Sequence, residues 1–271
     1  MRRGASSSQT LRRSEFSPSY LLSLADREVR DHDGVFYVEG LRFAYSALQS
    51  GAKILAVARS KRLGGGELWE RLSEYPQIEL RQDQLEALRF SPEPQGLILV
   101  LAQQTIGLQE VKTLKSGMWV GIESLQSPGN FGTILRSMVA ADSAGLMLFG
   151  NRGQYEDAYD PTVIRASMGA HLMLPVVRTS YAELSRWSRR SEVRVLGADA
   201  TAQLDYRAIK YRRPTLLMIG SERTGLSPGQ RSICDDLVRI PMARGIDSLN
   251  VAMAATVILF EAFGQRRAVR S

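Results

Sequence analysis

Between residues 17 and about 104, short apolar runs (GVFYVEG, KILAVA, QIEL, GLILVLA) alternate with longer amphipathic stretches (GLRFAYSALQSG, GELWERLSEY, RQDQLEALRF). Runs this short, bounded by Gly or charged residues, predict strands, and the stretches between them predict helices. The alternation is that of a small α/β sandwich. Pro92 and Pro94 break the helical pattern before the last run. The polar, lysine-bearing segment QQTIGLQEVKTLKSG then reads as a linker, residues 105–116. From residue 117 the units lengthen. MWVGIES, GLMLFG, LPVV, VRVLGADA and PTLLMIG predict buried parallel strands with crossover helices, among them DPTVIRASMGAH. The sequence SLNVAMAATVILFEAFGQRR gives the clearest helix: Val251, Ala255, Ile258, Leu259 and Ala262 share one face, with Ser248 as expected N-cap and Arg266 and Arg267 at the far end. The fold class is α/β, in two domains spanning 17–104 and 117–271.

Composition narrows the partners. A chain of 271 residues with 44% hydrophobic and 23% charged residues is globular and long enough for two domains. A net charge of +7 and a pI of about 9.7 favour a polyanionic partner, with nucleic acid first among the candidates. Cys234 is the only cysteine, which rules out an intrachain disulfide and a thiolate zinc cluster. His32 and His171 lie far apart and read as ordinary surface or core residues, so no metal is expected. No run of about 18 uncharged apolar residues is present. The N-terminal MRRGASSSQTLRR lacks the apolar stretch of a secretory signal. Residues 1–16 read as a disordered basic tail that adds phosphate contacts, an organelle transit peptide being the alternative, and the expected location is the cytoplasm.

The familiar catalytic motifs are missing: no G-x-x-x-x-G-K-[ST], no G-x-G-x-x-G after a strand, no H-E-x-x-H and no G-x-S-x-G. VRVLGADA has one Gly where a dinucleotide phosphate loop needs three, which argues against a dehydrogenase. What remains is three Gly-containing loops, SPGNFG, GSERTGLS and IPMARGIDSLN, each following a β-like run of the second domain. Open α/β sheets bind ligands at the carboxyl ends of their strands, so the loops are expected to build one composite site. Its polar side chains would come from Asn130, Arg136, Glu222, Ser248 and Asn250. Taken singly, each has a plainer reading as a cap, a turn residue or a solvated charge.

Taken together and in order, the motifs resemble those of the SpoU/TrmH RNA ribose 2′-O-methyltransferases of the SPOUT superfamily. Asn130, Gly132 and Arg136 match N-x-G-x-x-x-R; Gly220, Glu222, Gly225 and Leu226 match G-x-E-x-x-G-L; Ile240 to Met242 and Ser248 to Val251 match I-P-M followed by S-L-N-V. IRASMGAH is similar to the family's stretch between the first two motifs, and VFYVEGLRFAYSALQSG is similar to its L30e-like substrate-binding domain. The resemblance implies an L30e-like RNA-binding domain, a SPOUT-type catalytic domain with a deep trefoil knot at its carboxyl end, a homodimer, and S-adenosyl-L-methionine as cofactor.

It also implies residue roles. Backbone groups around Gly220, Ser221, Ile240, Ser248 and Leu249 contact the cofactor, with Ile240, Met242 and Leu249 enclosing its adenine. A guanidinium keeps its proton near neutral pH, so Arg136 orients the target ribose or phosphate and assists loss of the 2′-OH proton. Asn130, Glu222, Ser248 and Asn250 fix the loops and the substrate by hydrogen bonds. Ribosomal RNA is the favoured substrate, with tRNA second; a binding or ribosome-assembly factor without catalysis is the other class. Ser127, Arg223 and the Arg244–Gly245 pair depart from the family wording.

Overall fold

The computed structural model describes residues 16–61, 63–88, 95–111, 117–150, 155–211, 214–243 and 245–270. The expected basic tail up to residue 15, Pro92, Pro94 and Arg244 lie outside the described residues. The chain divides into two compact units between Gln103 and Gln104.

The first unit contains α1 (Pro18–Ser23), α2 (Arg27–Asp33), β1 (Val35–Glu39), α3 (Leu41–Ser50), β2 (Ile54–Arg59), α4 (Glu67–Leu72), β3 (Gln77–Glu79), α5 (Gln82–Ala87) and β4 (Leu97–Ala102). Its four strands run in the order β1-β4-β2-β3, with β4 antiparallel to both neighbours. Val35, Tyr37, Ala56, Ala58, Ile98 and Val100 pack on one face with Leu21, Leu24, Leu85 and Leu88. The alternate residues Phe36, Val38, Leu99 and Leu101 are buried too, so helices cover both faces and form the sandwich that the alternation predicts.

The second unit contains β5 (Thr105–Ile106), β6 (Met118–Ile122), α6 (Pro128–Ala140), β7 (Gly145–Phe149), α7 (Pro161–Ser167), β8 (Val176–Thr179), α8 (Tyr181–Arg190), β9 (Arg194–Ala198), β10 (Leu204–Asp205), β11 (Thr215–Ile219), α9 (Pro228–Ile233), β12 (Asp236–Arg239) and α10 (Val251–Arg270). Its sheet has the order β10-β12-β9-β11-β6-β7-β8-β5, and every neighbouring pair is parallel. All five residues of β6, β7 and β11 are buried, as strands covered on both faces must be.

Helices α6 and α10 lie side by side and run the same way. Asn130 meets Asn250, Ser137 Oγ lies 2.6 Å from Thr256 Oγ1, and buried Arg266 donates to the carbonyl of Ala141 at 3.0 Å. On its other side α6 packs against α7. A Cβ on Gly132 would fall 2.4 Å from Ala166 Cβ and 2.5 Å from its carbonyl carbon, so the motif glycine is the point of closest helix approach. The amino ends of α6 and α10 are thereby brought together.

Three expectations are corrected. The segment read as a linker is partly structural: Thr105–Ile106 pairs with Val176–Val177, and Leu108 is buried behind it; residues 112–116 lie outside the described residues. Asn130 is not in a loop, because α6 already starts at Pro128. Ser248 is not the N-cap of α10: Asn250 Oδ1 takes the N–H groups of Ala252 and Met253 at 2.9 and 3.3 Å.

Candidate active site

The first loop ends in the cap of α6. Ser127 Oγ accepts the N–H of Asn130 at 3.3 Å and Pro128 opens the helix. A short hydroxyl does here what an Asp side chain also does, which explains one departure from the family wording. The second loop leaves β11. Ser221 and Gly225 exchange two main-chain hydrogen bonds of 2.9 and 3.1 Å, closing a tight turn with Gly225 at φ +65°. A Cβ on Gly220 would stand 2.1 Å from the carbonyl carbon of Gly225, so only glycine lets the turn fold back on the strand end. The third loop, 240–250, is largely exposed and enters α10 through Asn250.

One chain of hydrogen bonds ties the three loops. Glu222 accepts the N–H of Gln126 on Oε2 at 2.8 Å, and that of Ser127 on Oε1 at 3.1 Å. Its Oε1 also accepts Asn130 Nδ2 at 2.9 Å, while Asn130 Oδ1 accepts Asn250 Nδ2 at 3.0 Å. The carboxylate can only accept and the α10 N–H groups can only donate, so both amide orientations are forced. Partial burial raises the carboxyl pKa of Glu222, but the donors from Gln126, Asn130 and Ser127 outweigh it and hold the group below the ordinary carboxylate value.

Beside this chain lies a cleft of about 560 Å³. All six expected cofactor residues, Gly220, Ser221, Ile240, Met242, Ser248 and Leu249, line it, as do Glu222 and Asn250. Its apolar wall is completed by Leu226, Val238 and Ile258, and the peptide groups of the second and third loops supply polar atoms. Asn130 stands behind the cleft, bonded to Glu222 and Asn250. Arg136 is not among the lining residues; it is exposed on α6, together with Gly129, Thr133 and Ala140, and pairs with none of the described residues.

The sequence reading missed a fourth contributor, the turn after β9. Asp199 and Thr201 line the cleft opposite the second loop, with Arg231 of α9 beside them. Asp199 Oδ1 accepts the N–H and hydroxyl of Thr201 at 2.8 and 2.7 Å, and its carboxylate is ion-paired with Arg231. Asp199 and Thr201 follow the carboxyl end of a strand just as the three motif loops do, and that position was the available signal. His171 is buried against Tyr159, and burial pushes its pKa down to about 4. Burial likewise pushes the Cys234 thiol up to about 12. Among the described residues, no group of three or more His, Cys, Asp or Glu is placed to hold a metal ion, and no helix is long and apolar enough to cross a membrane.

Residues 117–260, which include all three loops and their joining helices, match the SpoU rRNA methylase family. The chain belongs to that family. Residues 19–99 match the MRM3-like substrate-binding domain. Among SpoU relatives, a 23S rRNA (uridine(2479)-2′-O)-methyltransferase of Streptomyces viridochromogenes is 32% identical over 260 residues, 90% of this chain and 87% of that one. The 23S rRNA (guanosine-2′-O-)-methyltransferase RlmB of Vibrio parahaemolyticus is 32% identical over 55% of this chain and 60% of its own length. The crystal structure of the SpoU methyltransferase AviRb from S. viridochromogenes with the cofactor AdoMet superposes with a TM-score of 0.83 at 31% identity, covering 93% of this chain and 98% of that one. The AdoMet-bound rRNA methyltransferase of Sinorhizobium meliloti gives 0.82 at 28% identity, over 94% and 95%.

Proposed function

We propose that this SpoU-family protein transfers a methyl group from S-adenosylmethionine to a ribose 2′-OH of ribosomal RNA. The observation that supports this best is the hydrogen-bond chain Glu222–Asn130–Asn250, which joins the three motif loops around one cleft. The cleft fits the cofactor: its volume lies within the roughly 300–1,000 Å³ of small-molecule sites, and an apolar wall faces a rim of peptide groups. Gly220, Ser221, Ser248 and Leu249 would hold the cofactor through main chain, with Ile240, Met242 and Leu249 around its adenine. When bound, it supplies an electrophilic methyl group on a sulfonium.

The protein's task is then to place the hydroxyl oxygen in line and to remove its proton. Arg136, exposed and free of carboxylate partners among the described residues, receives the ribose or its phosphate with a two-pronged donor. Glu222, Asn130 and Asn250 keep the amino end of α6, and so Arg136, in register with the cleft, and Ser248 completes the substrate side. Residues 17–104 present the RNA to residues 117–271, whose chain forms the trefoil knot of the family.

Ribosomal RNA is favoured over tRNA by the 23S rRNA activities for which two of the relatives are named. A homodimer is supported by exposed Met253 and Phe260, seven residues apart on one face of α10, and by Ile246 in the neighbouring loop. The cytoplasm is the place of action this reading implies. Incubation of the protein with labelled S-adenosylmethionine and unmethylated 23S rRNA tests the proposal: label in 2′-O-methylated nucleosides is expected, and tight RNA binding without label would make it a binding factor instead.

A further inference from the structure

The eight-stranded sheet has a second concavity at its other edge. A groove of about 450 Å³ runs between α8 and the turn that follows β5, and its walls hold Arg178, Arg186, Trp187 and Arg190 with one acidic residue, Glu183. Arg186 and Arg190 are exposed, and Trp187 is half-buried, one side of it packed on the core. Glu183 is occupied as the far end of the α8 capping box, taking the N–H and hydroxyl of Ser180 at 3.1 and 2.9 Å.

Other arginines of this unit have carboxylate partners: Arg194 with Asp236, Arg207 with Asp205, Arg231 with Asp199. Those of α8 do not. Arg186 Nε donates to the carbonyl of Ala182 at 3.2 Å and Arg189 Nη2 to Ser185 Oγ at 3.0 Å, while Arg190 pairs with none of the described residues. Glu183 faces Arg186 alone, so three guanidinium groups within residues 186–190 stand against one carboxylate and give this end of α8 a net positive charge that attracts a polyanion. Arg178 meets them from β8, its guanidinium carbon 5.9 Å from the ring centre of Tyr155.

We infer that this groove is an accessory RNA site, gripping phosphates with Arg178, Arg186 and Arg190 and offering the exposed part of Trp187 to a sugar or base. The inference rests on the RNA-methyltransferase reading above. The chemistry is that of non-specific nucleic-acid binding, in which cations fix the backbone and an aromatic face accepts a neighbouring base. The groove belongs to the same unit as the cleft: β8, which carries Arg178, lies three strand positions from β11, roughly 14 Å across the sheet. Contacts here would position RNA without touching the reacting atoms.

The test compares wild type with R186A/R190A and R186K/R190K, using in-vitro transcribed 23S rRNA in filter binding at about 50 to 200 mM salt. Two lost phosphate contacts should flatten the slope of log affinity on log salt by about 1.4 to 1.8. The alanine pair should weaken RNA binding at least tenfold near physiological salt and raise the KM for RNA. Its kcat at saturating RNA and its affinity for S-adenosylmethionine should stay at wild-type values. The lysine pair should recover the slope but only part of the affinity, since the planar fork is lost. A wild-type protein that binds RNA, beside an alanine pair with the same affinity and slope, overturns the groove and leaves the methyltransferase reading intact. Polyglutamate bound by wild type and not by the alanine pair, with RNA affinity equal in the two, makes the groove a site for acidic protein and overturns it as well. Failure of wild type to bind or methylate RNA overturns both.

Discussion

Asn130→Asp changes one atom of the hydrogen-bond chain. Oδ1 can still accept from Asn250, but an oxygen replaces the Nδ2 that donates to Glu222 at 2.9 Å. A charge-assisted hydrogen bond worth about 1.5–3 kcal/mol is lost. Two carboxylates then face each other at the same distance, where Coulomb's law with an effective dielectric near 20 gives roughly 6 kcal/mol of repulsion. Both groups stand at the edge of a cleft open to water, so about 2–4 kcal/mol is the expected net destabilisation. Asn130→Ala removes this bond and the one from Asn250 without adding the charge; with both partners open to water it should cost about 1.5–3 kcal/mol. The isosteric variant is therefore expected to be the worse of the two.

The pH dependence separates this from a loss of shape. Paired carboxylates bind a shared proton more tightly than the same groups in the unfolded chain. Their raised proton affinity contributes stability at acid pH that disappears as pH rises through the raised value. Asn130→Asp should thus be less stable than Asn130→Ala at pH 8 and draw level with it or pass it near pH 5. Urea unfolding followed by tryptophan fluorescence in a Trp69→Phe background reads only Trp119 and Trp187, both in the second unit. Methyl transfer to 23S rRNA should fall in the same order at pH 8. Equal stability of the two variants at both pH values would refute the assignment of Asn130 as the donor to Glu222.

Arg136→Ala should reduce methylation by on the order of a hundredfold or more while leaving the melting temperature and S-adenosylmethionine affinity within error, and turnover near wild type would remove Arg136 from the site. Gly220→Ala drives a methyl group into the peptide of Gly225, so cofactor affinity by calorimetry should drop more than tenfold and the protein should melt several degrees lower. Buried His171 stays neutral to about pH 4. The unfolded chain therefore takes up a proton near pH 6.5 that the folded chain refuses, and wild type should lose on the order of 3 kcal/mol between pH 6.5 and 4, a slope that His171→Phe should flatten in denaturation at stepped pH. Met253→Asp with Phe260→Asp places charge on the exposed face of α10, and light scattering should show a dimer for wild type and a monomer for the double variant.

The strands of β6, β7, β9 and β11 were legible because parallel strands covered on both faces are written as unbroken apolar runs. The short outer strands are not: Thr105–Ile106 and Leu204–Asp205 at the two edges make two pairings each, and Asp236–Arg239, next to one edge, carries charge at both ends, so no pattern separates them from loop. The motif residues of the cleft were legible as wording, but their bonding was not. Asn130, Glu222 and Asn250 are 92 and 120 residues apart along the pairs they form, and no local periodicity encodes such contacts. The cap of α10 was misread because Ser248 and Asn250 are both good N-caps. The choice between them is made by Asn130, which holds the amide of Asn250 from outside the helix.

The direction of the chain explains why three weak motifs act as one. Donation runs one way: α10 N–H groups to Asn250, Asn250 to Asn130, Asn130 to Glu222, and the carboxylate also accepts the N–H groups of Gln126 and Ser127 just before α6. The ends of the chain are main-chain amides at the positive ends of two parallel helices, and the charge that terminates it is the one anion in the series. A cofactor that orders the second and third loops therefore also fixes the first turn of α6 and the helix on which Arg136 stands. Through this shared set of bonds, cofactor binding and RNA binding are expected to strengthen each other by the same factor in both directions, as titration of each ligand in the presence of the other would show.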